Sequence, residues 1–169
     1  MKALILIADG FDDLQLFCPY YRLREEGVEI TVASPHGPRA TGKHGYSIAT
    51  TMPIREVNPA EYDLLLIPGG YSPEKLRLSE EAVDVTRTFI DEDRRVAIVG
   101  HAAQLLISAG AMNGRRVTSA SEIRDDVRAA GGLYRDESVI VDGNLVSCRG
   151  SEDLGDLCRA MVSGLTLRA

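Results

Sequence analysis

The apolar run "VAIV" at residues 96–99 leads straight into Gly100 and His101, and then into "AAQLLISAG", which reads as a helix. A strand that turns this sharply into a helix is the architecture of a nucleophile elbow, where Ser, Cys or Asp stands exposed above a helix N-terminus. Gly100 occupies the apex and carries no side chain, so a thiol mechanism at this elbow is excluded. His101 is then the nearest group able to move a proton. A second loop, "PGGYS", contains Gly69 and Gly70. Either it is a plain turn, or its backbone N–H groups converge with that of His101 on one ligand oxygen, as an oxyanion hole. A third loop carries Asp12 and Asp13, which serve as helix caps or as a pocket acid or base. Cys18 follows Gln15 by three residues, on the same helix face. It reads as a small packing residue or as a relocated thiol aimed at the space above Gly100.

The elements that must position these groups alternate between strand and helix. "KALILI", "VEITVAS", "YDLLLIPGG" and "RRVAIVG" are short apolar runs of the kind that form strands covered on both faces. "DDLQLFCPYYRLREEG" follows the first as a helix with Leu14, Phe17, Tyr21 and Leu23 at helical spacing, capped by Asp12 or Asp13 and stopped by Gly27. Residues 36–61, rich in Gly, Pro and Thr, read as short antiparallel strands and turns. Ser79 caps a further helix, residues 115–119 form a short strand, and "SEIRDDVRAAGG" is a helix. "SVIVDGNLVSC" is a hairpin with an Asp-Gly turn signal, and "SEDLGDLCRAMVSGL" is the last helix. This alternation predicts one α/β domain over residues 1–169, with a mostly parallel sheet between helices. Ligands in such sheets bind beyond the carboxyl ends of the strands, a rule that gathers residues 9–13, 68–72 and 100–103.

Composition narrows the function. The formal net charge is -6 and the pI about 5.1. With no basic stripe, nucleic acid is not the expected partner. No apolar run is long enough to span a membrane. Three cysteines, an odd number, in a chain of this size suit a reducing cytoplasm. His36, His44 and His101 lack metal-ligand spacing and no Cys-x-x-Cys accompanies them, so neither a metal nor another cofactor is expected. His36 reads as an exposed loop residue and His44 as structural or a subunit contact.

Taken together, "TGKHGYS", "IPGG", the strand-to-helix His elbow, "VTSASEIRDD" and "VIVDGNLVSCRG" make nearly the whole chain resemble the PfpI/ThiJ family, relatives of the class I glutamine amidotransferases. The resemblance implies a flavodoxin-like three-layer α/β sandwich and homo-oligomers, dimers or hexamers. It implies activities reported as peptidase, deglycase, glyoxalase or isocyanide hydratase, and stress-protective roles. It also implies a cysteine at the position of Gly100 and a glutamate at Gln15. An aromatic or histidine is implied at Ala120, and often a tyrosine at Cys18. Glu74, in "SPEKLR", matches a carboxylate that reaches the histidine across a subunit contact. The departures at Gly100, Gln15, Ala120 and Cys18 predict a roomier pocket. The leading expectation is a hydratase, lyase or isomerase acting on a small carbonyl-like or polar molecule through Gly69, Gly70 and His101. The site is expected to favour a small anion or carbonyl compound. The alternatives are a non-catalytic metabolite-binding or stress-related protein, or a peptidase or deglycase in family name only.

Overall fold

The computed structural model describes residues 1–163 and 165. The chain runs β1 (Lys2–Leu6), α1 (Asp13–Glu25), β2 (Glu29–Ser34), β3 (Arg39–Thr41), β4 (Ser47–Ala49) and β5 (Met52–Pro53). It continues through β6 (Leu64–Ile67), α2 (Ser72–Leu76), α3 (Glu80–Asp91), β7 (Arg95–Val99) and α4 (Ala103–Ser108). The last part comprises β8 (Arg116–Val117), α5 (Arg124–Ala129), β9 (Leu133–Tyr134), β10 (Val139–Asp142), β11 (Leu145–Cys148) and α6 (Leu154–Ser163). Seven strands form one sheet in the order β10-β11-β7-β6-β1-β2-β5. Every neighbouring pair is parallel except β10 with β11. This is the flavodoxin-like α/β sandwich. No helix among the described residues is long and apolar enough to cross a membrane.

The strands are apolar runs because both faces are covered. Successive side chains point to opposite faces, so Leu4, Leu6, Leu65, Ile67, Val96 and Ile98 enter the core on one face of the sheet, with Phe89, Leu105 and Leu106 from α3 and α4. Ala3, Ile5, Leu64, Leu66, Ala97 and Val99 enter the core on the other, with Leu16, Leu157 and Met161 from α1 and α6. Each fully buried Leu or Ile contributes about 1.5–3 kcal/mol relative to exposure. The two layers therefore hold the carboxyl ends of β1, β6 and β7 in fixed relative positions, and the three loops predicted to meet do so above them.

Several local expectations are corrected. On α1 the buried residues are Asp13, Gln15, Leu16, Pro19 and Leu23. Leu14 and Tyr21 are 62% and 59% exposed, so of the apolar residues at helical spacing only Leu23 is fully buried. Their aromatic members are gathered by Phe17, which stacks on Tyr21 at 6.2 Å and meets Tyr46 edge-on at 6.1 Å. The core face was obscured because two of its members are polar and bury themselves by hydrogen bonding. Within residues 36–61, β3 and β4 form the expected antiparallel hairpin, but β5 joins the main sheet parallel to β2. Residues 54–56 and 59–61 are 3-10 turns. The predicted strand at 115–119 shrinks to the two residues of β8, which pair in parallel with β9. α2 and β9 had no sequence assignment, because elements of five and two residues are too short to display a period. The β10–β11 turn is made by Gly143 and Asn144, with Gly143 at φ 61°, so the glycine opens the two-residue loop. The last helix begins as a 3-10 turn at Ser151–Asp153 and runs on as α6. Gly164, placed in that helix by the sequence, and residues 166–169 of the expected domain lie outside the described residues.

Candidate active site

The β7 strand ends at Val99, and Gly100 turns the chain at φ 58°, a left-handed conformation that glycine adopts without steric cost. A Cβ built there would meet Gln15 Oε1 at 3.5 Å, Gln15 Nε2 at 3.6 Å and the Arg149 carbonyl at 3.7 Å, all ordinary contacts. The apex is thus an elbow with room for a side chain. The Gly100 carbonyl accepts a bond from the Ala120 N–H at 3.2 Å, which brings Ala120 to the rim.

The glycine loop is built more tightly. The Asp12 N–H donates to the Gly69 carbonyl at 3.1 Å and the Tyr71 N–H to the Gly10 carbonyl at 2.8 Å. These two bonds flank the antiparallel bridge between Phe11 and Gly70. In such a pair the central N–H points away from the partner strand, and the Gly70 N–H has no acceptor among the described residues. The same holds for the N–H of His101. The Gly69 N–H is not available for a ligand: it donates to Gln15 Oε1 at 2.9 Å. The expected oxyanion donor set is corrected accordingly, from Gly69, Gly70 and His101 to Gly70 and His101.

Gln15 lies on the first turn of α1 and is 7% exposed. Besides accepting from Gly69, it donates through Nε2 to Ser151 Oγ at 3.1 Å. Ser151 in turn donates to Asp12 Oδ1 at 3.4 Å. Asp12 caps α1 by accepting the Gln15 N–H at 3.2 Å, and its Oδ2 is 2.8 Å from Lys43 Nζ. Burial alone would raise the Asp12 carboxyl, but bonds to Lys43 and the Gln15 N–H outweigh it and hold the group below its ordinary value of 3.8. Asp12 is therefore an ionised partner of Lys43 and not a free base poised near neutrality. Asp13 neither caps the helix nor faces the pocket. Its carboxylate accepts the N–H groups of His44 at 2.9 Å and Tyr46 at 3.0 Å, which clamps the β3–β4 turn and so positions Lys43. His44 is structural through its backbone, and His36 is exposed, as expected.

A cavity of about 790 Å³ opens between these loops, lined by Asp12, Gln15, Lys43, Gly70, Tyr71, Gly100, His101, Ala120, Ser121, Glu122 and residues 149–153. Its wall holds four carboxylates, Asp12, Glu122, Glu152 and Asp153, against the cations Lys43 and Arg149. Arg149 is committed to Asp153 and Asp136, each at 3.0 Å. His101 is half-buried, and the nearby Glu122 carboxyl is held below its ordinary value mainly by a backbone hydrogen bond. The expected preference for small anions does not suit this lining. Among the described residues no group of three or more His, Cys, Asp or Glu is arranged to hold a metal ion.

Two other expected site residues lie elsewhere. Cys18 does not point into the space above Gly100. It is exposed, with its Sγ 3.9 Å from that of Cys158 on α6, because residue 18 falls on the α6-facing side of α1. Glu74 lies exposed on α2 and does not line the cavity of its own chain. Ser151, Lys43 and Arg149 were not singled out from sequence. All three sit in the quoted segments "TGKHGYS" and "CRG" or directly beside them, which was the only signal.

A family model described as the DJ-1/PfpI family matches residues 1–164. The chain belongs to the DJ-1/PfpI family. It is 49% identical over 154 residues to a deglycase of Thermococcus kodakarensis, covering 91% of this chain and 93% of that one. Deglycase PfpI of Pyrococcus furiosus is 48% identical over 154 residues, with the same coverage. Protein/nucleic acid deglycase 2 of Escherichia coli is 40% identical over 156 residues, covering 90% and 91%. Among solved structures, a two-domain protein of Anabaena variabilis containing DJ-1/ThiJ/PfpI-like and ferritin-like domains superposes with a TM-score of 0.96 at 31% identity. That match covers 98% of this chain but half of the larger protein. A DJ-1 superfamily protein from Salmonella typhimurium, at 21% identity and a TM-score of 0.91, covering 98% of this chain and 90% of that one, shares the fold. Within this DJ-1/PfpI chain the elbow, the glycine loop and the cavity surround a residue with no side chain.

Proposed function

We propose that this DJ-1/PfpI protein is an enzyme of the hydratase, lyase or isomerase kind that acts on a small, uncharged carbonyl compound without a covalent thiol step. The observation that carries the reading is the pair of unpaired N–H groups, Gly70 and His101, beside an open polar cavity in which no sulfur is present. A carbonyl oxygen seated between them gains charge as its carbon is attacked, and fixed donors stabilise that charge. His101 removes the proton from water or from the carbon next to the carbonyl, and returns it to the oxygen or to the neighbouring carbon. Gln15 holds the floor of the site and takes no proton, since both ends of its amide are committed. The excess of carboxylates over cations favours a neutral ligand, or a carbonyl adduct on an amine, over a free carboxylate. The relatives named deglycases are consistent with carbonyl chemistry of that class. In this reading the cysteine that the family resemblance implies has been replaced by Gly100, and the site has been rebuilt around the loss.

We also propose that the protein works as a homo-oligomer in which Glu74 of one subunit approaches His101 of another. The resemblance at "SPEKLR" and the exposure of Glu74 support it.

The test is a binding and turnover panel in which neutral α-oxoaldehydes and hydroxyketones are matched with carboxylates of the same skeleton. Neutral compounds should bind more tightly than their carboxylates and should be converted. His101→Ala should lower turnover by about 100-fold or more, the usual worth of a general base. Equal conversion by His101→Ala would overturn the catalytic role. Binding without any conversion would favour the metabolite-binding alternative.

A further inference from the structure

The three cysteines are reduced, and two of them meet far from the elbow. Cys18 on α1 is exposed, Cys158 on α6 is 6% exposed, and their sulfurs are 3.9 Å apart. We propose that Cys18 and Cys158 are a redox-active dithiol that closes to an intramolecular disulfide when a peroxide oxidises Cys18. The accessible Cys18 is the only one of the two that a peroxide reaches. Its thiolate attacks one peroxide oxygen, so an S–O bond forms, the O–O bond breaks, and hydroxide leaves and takes a proton to become water. Cys18 is then a sulfenic acid. The Cys158 thiolate attacks that sulfur, the S–S bond forms, the S–O bond breaks, and a second hydroxide leaves as water. Two thiols and one hydrogen peroxide thus give one disulfide and two waters.

The geometry favours this order. The thiols are already in contact at 3.9 Å, and a disulfide needs about 2.0 Å between sulfurs, so bond formation requires the two sulfurs to approach further. Burial is the main cause that pushes the Cys158 thiol up. Arg22, one turn beyond Cys18 on α1, works against this and lowers Cys158 slightly. Burial remains after Cys18 is oxidised, so the attack of Cys158 rests on the contact between the two sulfurs and is the slower of the two steps. Cys148 takes no part: it is buried at the end of β11, its thiol donates to the Gly150 carbonyl at 3.4 Å, and burial pushes it up to about 11. The bond would tie α1, which carries Gln15, to α6, which follows Ser151.

The test uses the full chain with hydrogen peroxide, followed by intact mass and non-reducing peptide mapping. The expected product is two hydrogens lighter, carries a Cys18–Cys158 cross-link, and returns to the starting mass with dithiothreitol. Because the cross-link spans 140 positions, the oxidised protein should also melt higher, by roughly 5 °C or more. In Cys158→Ala the reaction should stop at a Cys18 sulfenic acid that dimedone traps. If that variant does not fold, differential alkylation of the wild type follows Cys158 directly. Cys18 gaining two or more oxygens while Cys158 stays a free thiol would overturn the proposal. So would a disulfide joining two molecules through Cys18, or two unreacted thiols in excess peroxide.

Discussion

The elbow and the α1–α6 face divide the chemistry of this molecule in an unexpected way. At Gly100 the backbone supplies a turn at φ 58°, neighbouring unpaired N–H groups and open space, but no reactive atom. At Cys18 and Cys158 there are two reactive atoms 3.9 Å apart, on facing helices and away from the cavity at the elbow. A nucleophile in the second place can exchange electrons with small oxidants but cannot hold a carbonyl. A backbone in the first place can hold a carbonyl but cannot attack it. The comparison teaches that turnover at the elbow, if driven by proton transfer, depends on glycines and His101 and not on any thiol.

The two glycine turns offer the largest test of that view. Gly70 sits at φ 78°, and a Cβ there would lie 2.5 Å from the Asp12 nitrogen and 2.6 Å from the Gly10 carbonyl oxygen. Gly70→Ala should therefore cost more than about 4 kcal/mol, measured by urea unfolding, because backbone on both sides must move. Gly100→Ala meets only ordinary contacts and should cost about 1–2 kcal/mol from the left-handed backbone alone. Equal costs would mean that the elbow is not the open position described.

Next in size is the clamp on the β3–β4 turn. Asp13→Ala removes the acceptor of two N–H bonds and leaves both donors exposed to a vacated space. It should destabilise by about 2–3 kcal/mol and, by releasing Lys43, weaken ligand binding even though Asp13 never faces the cavity.

A thiol introduced at the apex sharpens the comparison further. In Gly100→Cys the introduced side chain faces the Gln15 amide, which is fixed between Gly69 and Ser151 and takes no proton. Alkylation of that thiol by iodoacetamide at neutral pH should be slow, and carbonyl turnover little changed. Adding Gln15→Glu supplies a proton acceptor and should raise turnover above that of the single variant. Identical rates in the two would show that residue 15 does not govern the apex.

The smallest expected effect is electrostatic. The folded Asp12 carboxyl lies below its ordinary value of 3.8, so the unfolded chain binds a proton first as pH falls. The stability it contributes is complete above that ordinary value and is lost as pH drops through the folded one. Lys43→Met should shrink this acid-dependent loss, by less than about 1 kcal/mol given the half-exposed lysine, when melts are compared between pH 5 and strongly acidic buffer.

Much of this arrangement was legible in the sequence, and for physical reasons. Strands buried on both faces must be apolar throughout, so β1, β6 and β7 announced themselves, and the loops at their carboxyl ends followed from the topology. Gly27 and Ser79 punctuated their helices by local chemistry, which a sequence displays. The Asp12–Ser151–Gln15–Gly69 chain was hidden because Gln15 and Ser151 are 136 positions apart, and nothing local marks either one as a partner. The helical spacing of Leu14, Phe17, Tyr21 and Leu23 marked α1, but its inward face was hidden because Asp13 and Gln15 are buried through bonds to distant backbone. Cys18 was placed correctly on α1, but its facing toward α6 depends on a helix at the far end of the chain.

The most direct measurement compares carbonyl turnover by the wild type with that of a variant in which Cys18, Cys148 and Cys158 are all replaced by alanine, followed by His101→Ala in each background. The account predicts the same turnover with and without the three thiols at equal folded fraction, and its loss with His101. Turnover that disappears with the thiols, or a wild type that converts no carbonyl compound at all, would contradict it.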